Sequence, residues 1–346
     1  MNGGTEMNGE LEKQIKIEKR IKEILRDKDE IFSRYLLNLS TNPATVKQEY
    51  ISKVLYFFEH VSKLDSRKVS EEQLRNITKE DIQIFLEETK YSSRSRVPKL
   101  KSPSTERMEI AALKSFFDFL QKIGVVDKNP TDTIKRPKLK KTSVTYMDPD
   151  EIDEVRDNMY RGIGTISKKV RENRRRWANR NVSILMLGCT MGLRVSAISA
   201  INVADVDFDE MTISVTEKGN VTKKVWMGTD TAKCIHDWMV DRDELLGDKE
   251  TDALFLSSRK ERITVRGIRN IISQYTATLD KHITPNQMRS SCATNLYMQT
   301  GDIYLVKEIL GHKNIANTQK YVKRAEPLET SLKNAADILE KVYRGE

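Results

Sequence analysis

Four side chains in the second half of the chain have types and spacings that could do chemistry. Arg194 lies two residues after a glycine in the string TMGLRVS, and Arg289 lies at a predicted helix start in TPNQMR. His312 follows another glycine, and Tyr321 comes nine residues later. A phenol can attack phosphorus, and guanidinium groups can hold the non-bridging oxygens on which charge accumulates. These residue types would suit chemistry at a phosphate ester.

Several other kinds of chemistry lose support. The sequence has no GxxxxGK[ST], GxGxxG, HExxH or GxSxG pattern, which argues against nucleotide hydrolysis, dinucleotide redox, zincin and α/β-hydrolase chemistry. The three cysteines, Cys189, Cys234 and Cys292, are far apart and form no CxxC pair. This argues against a disulfide scaffold and a structural metal, so we expect a reduced, cytoplasmic chain without a cofactor.

The strings resemble motifs of the tyrosine recombinase (phage integrase) family. LGHKNIANTQKY, residues 310–321, is similar to the family's Leu-Gly-His motif with the nucleophile nine residues on and a threonine three positions before it. TMGLRVS is similar to the family's first-arginine motif. EKGN, at a predicted hairpin turn, is similar to the site of its catalytic lysine, here Lys218. The resemblance extends from about Ile31 to Tyr321.

The resemblance implies a site-specific DNA recombinase, Xer-like or a simple integrase, that works through a 3′-phosphotyrosine without metal or ATP. Tyr321 would be the nucleophile, with Arg194 and Arg289 on the non-bridging oxygens. His312 would hydrogen-bond the phosphate, and Lys218 would give its proton to the leaving 5′ oxygen. The expected partners are double-stranded DNA and copies of the chain, as a tetramer on two DNA sites; accessory DNA-bending or directionality proteins are candidates.

Two positions depart from the family pattern. Asn286 stands where the family commonly has histidine. Its amide can donate a hydrogen bond to a phosphate oxygen but cannot shuttle a proton. We therefore expect this position to assist catalysis less than a histidine would. Ala197 stands three residues after Arg194, where the family often has an acidic residue.

The elements that must position these residues can be predicted from local patterns. The apolar stretch from Val182 to Leu193 predicts a buried helix before Arg194. Alternating residues over Met211–Val215 and Val221–Met227 predict a hairpin with Lys218 in its turn. Helices are expected over Asn286–Thr300 and Ile303–Leu310.

The first part of the chain has a helical pattern throughout. We predict a charged, solvated leading helix in residues 1–28 and four amphipathic helices in a small bundle over 29–131, with helix starts at Thr78 and Ser102. A basic linker, 132–144, leads to a catalytic domain, 145–326. An amphipathic helix in 327–346 would, by the resemblance, dock onto a neighbouring protomer.

Basic segments are the candidate DNA contacts. The chain has 60 Lys and Arg against 51 Asp and Glu, a net charge of +9 that favours polyanionic partners. The linker contains Lys135, Arg136, Lys138, Lys140 and Lys141. It could be a solvated tether or a strap along a phosphate backbone. The Arg174-Arg175-Arg176 run, placed in a helix over 171–180, could face DNA or solvent.

The sequence predicts a mainly α fold with a small antiparallel β-sheet, combining a helical core-binding domain with an α+β catalytic domain. No apolar run is long enough to span a membrane. Two alternatives remain open: a non-catalytic DNA-binding protein on the same scaffold, and an enzyme like a type IB topoisomerase. A non-catalytic role is disfavoured because the candidate catalytic residues are all intact: Arg194, Lys218, Arg289, His312 and Tyr321. Recombination fits the separate helical domain and the tail helix better than a topoisomerase-like activity does.

Overall fold

The chain divides into two compact units, Met1–Lys141 and Thr142–Glu346. The computed structural model describes residues 3–61, 65–92, 98–138, 144–162, 172, 174–217 and 221–321. Lys218, Lys140, Lys141 and the helix predicted in 327–346 lie outside the described residues.

The first unit is a helical bundle with one short β-ribbon. Its elements are α1 (Gly3–Leu25), α2 (Glu30–Asn38), α3 (Ala44–His60), α4 (Glu71–Arg75), α5 (Lys79–Glu88), β1 (Tyr91–Ser92), β2 (Lys99–Leu100) and α6 (Pro103–Lys122). Helices α1, α2 and α6 pack against α3. The predicted helix starts are confirmed: the Thr78 hydroxyl accepts from the Asp81 N–H at 3.2 Å, and Ser102 accepts from the Thr105 N–H at 3.1 Å.

The core of this unit is built from aromatic rings. Phe116 of α6 is fully buried. Its ring lies edge-on to Phe58 and Tyr35 and stacks on Phe32, with centroid separations of 5.1–5.8 Å. Such geometries align the positive ring edges with the negative faces, which adds to the apolar burial. The bundle is therefore held mainly by shape-matched apolar packing.

Two predictions for the first unit were incomplete. The segment after α5 is not helical throughout, because Tyr91 pairs with Leu100 and Ser92 with Lys99 in an antiparallel ribbon. Over residues 14–25 the leading helix is mostly exposed, but it is not simply solvated. Ile21 and Leu25 are buried in the same core as the aromatic rings, since their spacing of four places both on one face.

The second unit combines helices with a small sheet. Its elements are α7 (Pro149–Arg161), α8 (Ala178–Cys189), α9 (Val195–Ala200), β3 (Val206–Asp207), β4 (Thr212–Glu217), β5 (Val221–Trp226), α10 (Thr229–Leu246), α11 (Val265–Tyr275), α12 (Pro285–Thr300) and α13 (Ile303–Leu310). The strands form one antiparallel sheet in the order β3-β4-β5. The predicted hairpin is confirmed as β4 and β5, while β3 was not anticipated.

Helix α8 is the centre of the second core. Every residue from Asn181 to Cys189 is buried, and α7, α10 and α12 pack around the helix. The prediction of a buried helix before Arg194 is therefore confirmed. Among the described residues, no helix is long and apolar enough to cross a lipid bilayer. The mainly α fold with a small antiparallel sheet is also confirmed.

Candidate active site

Arg194 is positioned by a tight turn between α8 and α9. Gly192 in this turn has φ +62°, in the left-handed region that favours glycine. A Cβ there would lie 2.8 Å from Leu310 Cδ2 and 3.1 Å from Cys292 Sγ. The turn thus brings its backbone against α12 and the end of α13. Arg194 follows as the N-cap of α9 and is half-buried.

Arg289 joins three segments that are far apart in sequence. It lies on α12 and is only 7% exposed. One terminal nitrogen of its guanidinium donates to the Gly192 carbonyl and the other to the Leu310 carbonyl. Gly192 is two residues before Arg194, and Leu310 is two residues before His312. The planar guanidinium therefore ties the first-arginine turn to the start of the His312 segment.

His312 is placed by the C-terminus of α13. Gly311 ends the helix with φ +61°, and the His312 N–H donates to the Lys307 carbonyl at 3.0 Å. The His312 ring is half-buried, and its Nδ1 lies 3.0 Å from the hydroxyl of Thr318. The backbone and one ring nitrogen of His312 are thus both anchored.

Tyr321 lies beside His312 in a small apolar cluster. The Tyr321 side chain is 3% exposed and packs with Ala293, Val306 and Leu310. Its ring is within 12° of parallel to the His312 ring, with the centroids 6.3 Å apart. Its N–H donates to the Thr318 carbonyl at 2.9 Å. The structure therefore brings Arg289, His312 and Tyr321 into one neighbourhood.

Lys218 lies outside the described residues, but the hairpin that carries it does not. The β4–β5 register runs from Thr212 opposite Trp226 to Glu217 opposite Val221, so residues 218–220 form the connection. On α13, the pKa of Glu308 is lowered by its hydrogen bond to Lys307 and, to a smaller extent, by the charge of Lys223 on β5. The charge of Lys223 on the hairpin therefore favours the ionised form of Glu308 on α13.

Asn286 and Ala197, the two departures from the family pattern, differ in their exposure to solvent. Asn286 is exposed in the first turn of α12, and its carbonyl accepts from the Ser290 hydroxyl at 3.0 Å. Its side chain is thus open to a ligand. Ala197 is buried in α9, so a small apolar residue fills the position where the family often has a carboxylate.

The predicted DNA contacts of the linker are exposed where they are described. Lys135, Arg136 and Lys138 are all exposed. Arg107 of α6 donates to the Pro137 carbonyl at 3.3 Å, which holds the beginning of the linker against the first unit. These three cations are available to a polyanion.

The three consecutive arginines do not form one solvated helical face. Arg174 and Arg175 are helical, but a turn at residues 176–177 precedes α8, so the helix predicted over 171–180 is interrupted at Arg176. Arg174 is half-buried, and its charge reaches Tyr275 on α11, whose pKa is raised by burial and partly lowered by Arg174. Arg175 and Arg176 are exposed. Only these two are open to solvent.

Three positions support the site through contacts that the sequence does not show. Gly192 is required by its φ and its close contacts, and Thr318 contacts the His312 ring. Cys292 donates from its thiol to the Thr190 carbonyl at 3.3 Å, and burial raises its thiol pKa to about 12, against the opposing charge of Arg289. The signals were present, since Gly192 and Thr318 lie inside the motif strings, but their contacts are tertiary.

The arrangement suits a phosphate ester. The guanidinium of Arg289, an imidazole with one anchored nitrogen and a phenol are brought together by hydrogen bonds to main-chain carbonyls and by ring packing. Within the described residues, no group of three or more His, Cys, Asp or Glu side chains could hold a metal ion.

Comparison with known proteins agrees with this geometry. The phage integrase family model matches residues 157–327. Tyrosine recombinase XerC of Shewanella amazonensis is 31% identical over 223 residues, which cover 64% of this chain and 70% of that protein. Tyrosine recombinase XerC of Anoxybacillus flavithermus is 30% identical over 259 residues, covering 72% and 78%.

A solved structure extends the likeness to the fold. The lambda integrase tetramer bound to a Holliday junction matches with a TM-score of 0.61 and 15% identity, covering 84% of this chain and 76% of that chain. The family match, the XerC relatives and the site geometry lead to one conclusion. The chain belongs to the phage integrase family and is a site-specific tyrosine recombinase.

Proposed function

We propose that this recombinase cleaves and rejoins DNA through Tyr321. The Tyr321 oxygen forms a bond to the scissile phosphorus and gives its proton to solvent water, while the bond from phosphorus to the 5′ oxygen breaks. Lys218 gives a proton to that 5′ oxygen. The product is a 3′-phosphotyrosine, and attack by a 5′ hydroxyl reverses the step. Because one phosphoester replaces another, rejoining requires no ATP.

One observation carries this proposal. Arg289 donates to the Gly192 and Leu310 carbonyls at once, so the segments that bear Arg194 and His312 are fixed around a single guanidinium, and Tyr321 stacks on His312. Charge that accumulates on the phosphate oxygens in the transition state is best stabilised by donors already fixed in place. Arg194 and Arg289 supply that charge, and His312 supplies a further hydrogen bond.

Asn286 and Tyr321 add two details. The exposed Asn286 amide donates to a phosphate oxygen, which gives weaker assistance than a histidine because it carries no proton to transfer. Tyr321 is almost completely buried. We therefore expect DNA binding to move the turn that carries it, so that the phenol reaches phosphorus.

The proposed partner is double-stranded DNA, bound by a tetramer on two sites. The net charge of +9, the exposed linker cations and the assembly of lambda integrase on a Holliday junction support this. In this arrangement residues 29–131 bind the core site, 132–144 follow the phosphate backbone, 145–326 carry the chemistry and 327–346 dock onto the next protomer. Arg175 and Arg176 are further DNA contacts. The proposed location is the cytoplasm, at the nucleoid DNA.

The reaction can be mobile-element integration and excision or replicon resolution, and both use the same chemistry. A nicked suicide substrate, which loses a short strand after cleavage, tests that chemistry. The protein is expected to form a covalent adduct with the DNA, and Tyr321→Phe to abolish it. Tyr304→Phe is the matched control, because Tyr304 is an exposed tyrosine on α13.

Three results would contradict the proposal. An adduct that persists in Tyr321→Phe would place the nucleophile elsewhere. DNA binding without any adduct or nicking would indicate a non-catalytic DNA-binding protein. Relaxation of supercoiled DNA by monomers, without exchange between sites, would indicate an activity like that of a type IB topoisomerase.

A further inference from the structure

We propose that Thr318 is a positioning residue for His312, whose hydroxyl holds ring nitrogen Nδ1 and so directs Nε2 toward the scissile phosphate. This inference rests on the proposed function, in which His312 hydrogen-bonds the phosphate. It goes further by naming the group that decides which ring nitrogen is presented to the DNA.

Thr318 is buried in contact with one ring nitrogen of His312. The Thr318 hydroxyl lies 3.0 Å from His312 Nδ1, and Thr318 is completely buried. The His312 backbone is already held by the Lys307 carbonyl, so the main freedom left to this residue is rotation of its side chain. A buried hydrogen bond to one ring nitrogen removes that freedom, because turning the ring over would leave Nδ1 without this partner.

The two nitrogens of the His312 imidazole have different roles. The hydrogen bond made by one nitrogen sets which nitrogen is free to act and which tautomer the neutral ring adopts. Because Thr318 contacts Nδ1, Nε2 is the nitrogen that we assign to the phosphate oxygen. A hydroxyl suits this role because it can donate or accept, so the contact persists whether the ring is neutral or charged.

Thr318 also anchors Tyr321. The Thr318 carbonyl accepts from the Tyr321 N–H at 2.9 Å, and the rings of His312 and Tyr321 lie nearly parallel. One buried residue therefore fixes the imidazole through its side chain and the turn of the phenol through its main chain. A substitution that removes only the hydroxyl separates the two contributions.

Single-turnover cleavage of the suicide substrate tests the role. Thr318→Val keeps the side-chain shape but removes the hydroxyl, and we expect cleavage to slow about five- to tenfold, the size of one side-chain hydrogen bond. Thr318→Ser keeps the hydroxyl and is expected to recover most of the rate. A Ser variant as slow as the Val variant would overturn the proposal.

A double-mutant cycle distinguishes positioning from packing. If Thr318 acts through His312, Thr318→Val has no further effect on cleavage in a His312→Ala background. If the same five- to tenfold loss appears there, the hydroxyl acts independently of His312 and the proposal fails.

Nitrogen NMR of the ¹⁵N-histidine-labelled protein without DNA gives a readout that does not depend on cleavage. The chain has four histidines, and His60, His236 and His282 are exposed and serve as internal references. Thr318→Val is expected to shift the ring-nitrogen signals of His312 alone, whereas Thr318→Ser leaves them near their original positions. Unchanged His312 signals in Thr318→Val would overturn the inference, whether or not the protein recombines DNA.

Discussion

The two units hold their important residues in different ways. The first unit is held by buried rings such as Phe116, Phe32 and Phe58, which contact one another edge-on or stacked. At the site of the second unit, Arg289 is instead fixed by two main-chain carbonyls and His312 by a hydroxyl. Apolar packing tolerates changes of shape at a cost in stability, whereas directional hydrogen bonds fix orientation. Substitutions in the two regions should therefore affect different properties.

The largest expected effect on stability is in the aromatic core. Phe116→Ala removes a fully buried ring and should lower the free energy of unfolding by about 3–5 kcal/mol. The measurement is urea unfolding followed by far-ultraviolet circular dichroism. Met108→Ala on the same helix is the control, because Met108 is exposed and its loss should cost little.

Tryptophan fluorescence sharpens this prediction. All three tryptophans, Trp177, Trp226 and Trp238, belong to the second unit. The Phe116→Ala transition seen by circular dichroism should move to lower urea more than the fluorescence transition. Equal shifts of both transitions would contradict the expectation that Phe116 stabilises the first unit more than the second.

The largest expected effect on chemistry follows substitution of Arg289. In Arg289→Lys, a single ammonium replaces the planar guanidinium. It cannot donate to the Gly192 and Leu310 carbonyls at once in the geometry that the two guanidinium nitrogens provide. Single-turnover cleavage should fall by about 10²- to 10³-fold, as when a fixed transition-state donor is lost. Arg259→Lys, an exposed arginine of the same unit, should leave the rate unchanged. A loss of less than about threefold in Arg289→Lys would contradict the central role of this guanidinium.

Gly192→Ala tests the turn that supports Arg289. A left-handed φ costs a non-glycine residue about 1–3 kcal/mol, and the new Cβ would also crowd Leu310 and Cys292. Gly301→Ala is the matched control, since Gly301 has φ +64° but no atom within 4 Å of its Cβ position. Gly192→Ala should lower both the unfolding midpoint and the cleavage rate, and Gly301→Ala only the midpoint. Equal losses of cleavage in both variants would show that crowding at the site is unimportant.

The smallest effect is expected at a surface ion pair. Lys224 pairs with Glu210 on the sheet, and more than half of each side chain is exposed. Solvent screens such pairs and offsets most of their attraction. Lys224→Ala should therefore leave the urea midpoint unchanged within error. A clear loss of stability would show that polar contacts stabilise this unit well beyond its site.

Features fixed by neighbouring residues in sequence could be predicted. The helix starts at Thr78 and Ser102 depend on side chains that accept hydrogen bonds from N–H groups three residues later. Helix α13 occupies the predicted residues 303–310, because apolar spacing and the following glycine are local signals. The β4–β5 hairpin was predicted from alternation for the same reason.

Features that depend on distant partners could not be predicted. The strands β1, β2 and β3 have two residues each, too few for an alternating pattern, and exist only through their pairing. Arg174 differs from its two neighbours because α11 lies beside it. For the site, the motif strings identified Arg289 and Tyr321 as candidates, but nothing in the sequence shows that Arg289 contacts the Gly192 and Leu310 carbonyls.

The most direct test of the account identifies the atom that becomes attached to DNA. The adduct trapped on a suicide substrate is digested with protease and nuclease, and the modified peptide is sequenced by mass spectrometry. The account predicts one modified residue, Tyr321, carrying a nucleotide through its 3′ phosphate. A modification on any other residue, or attachment through a 5′ phosphate, would contradict it.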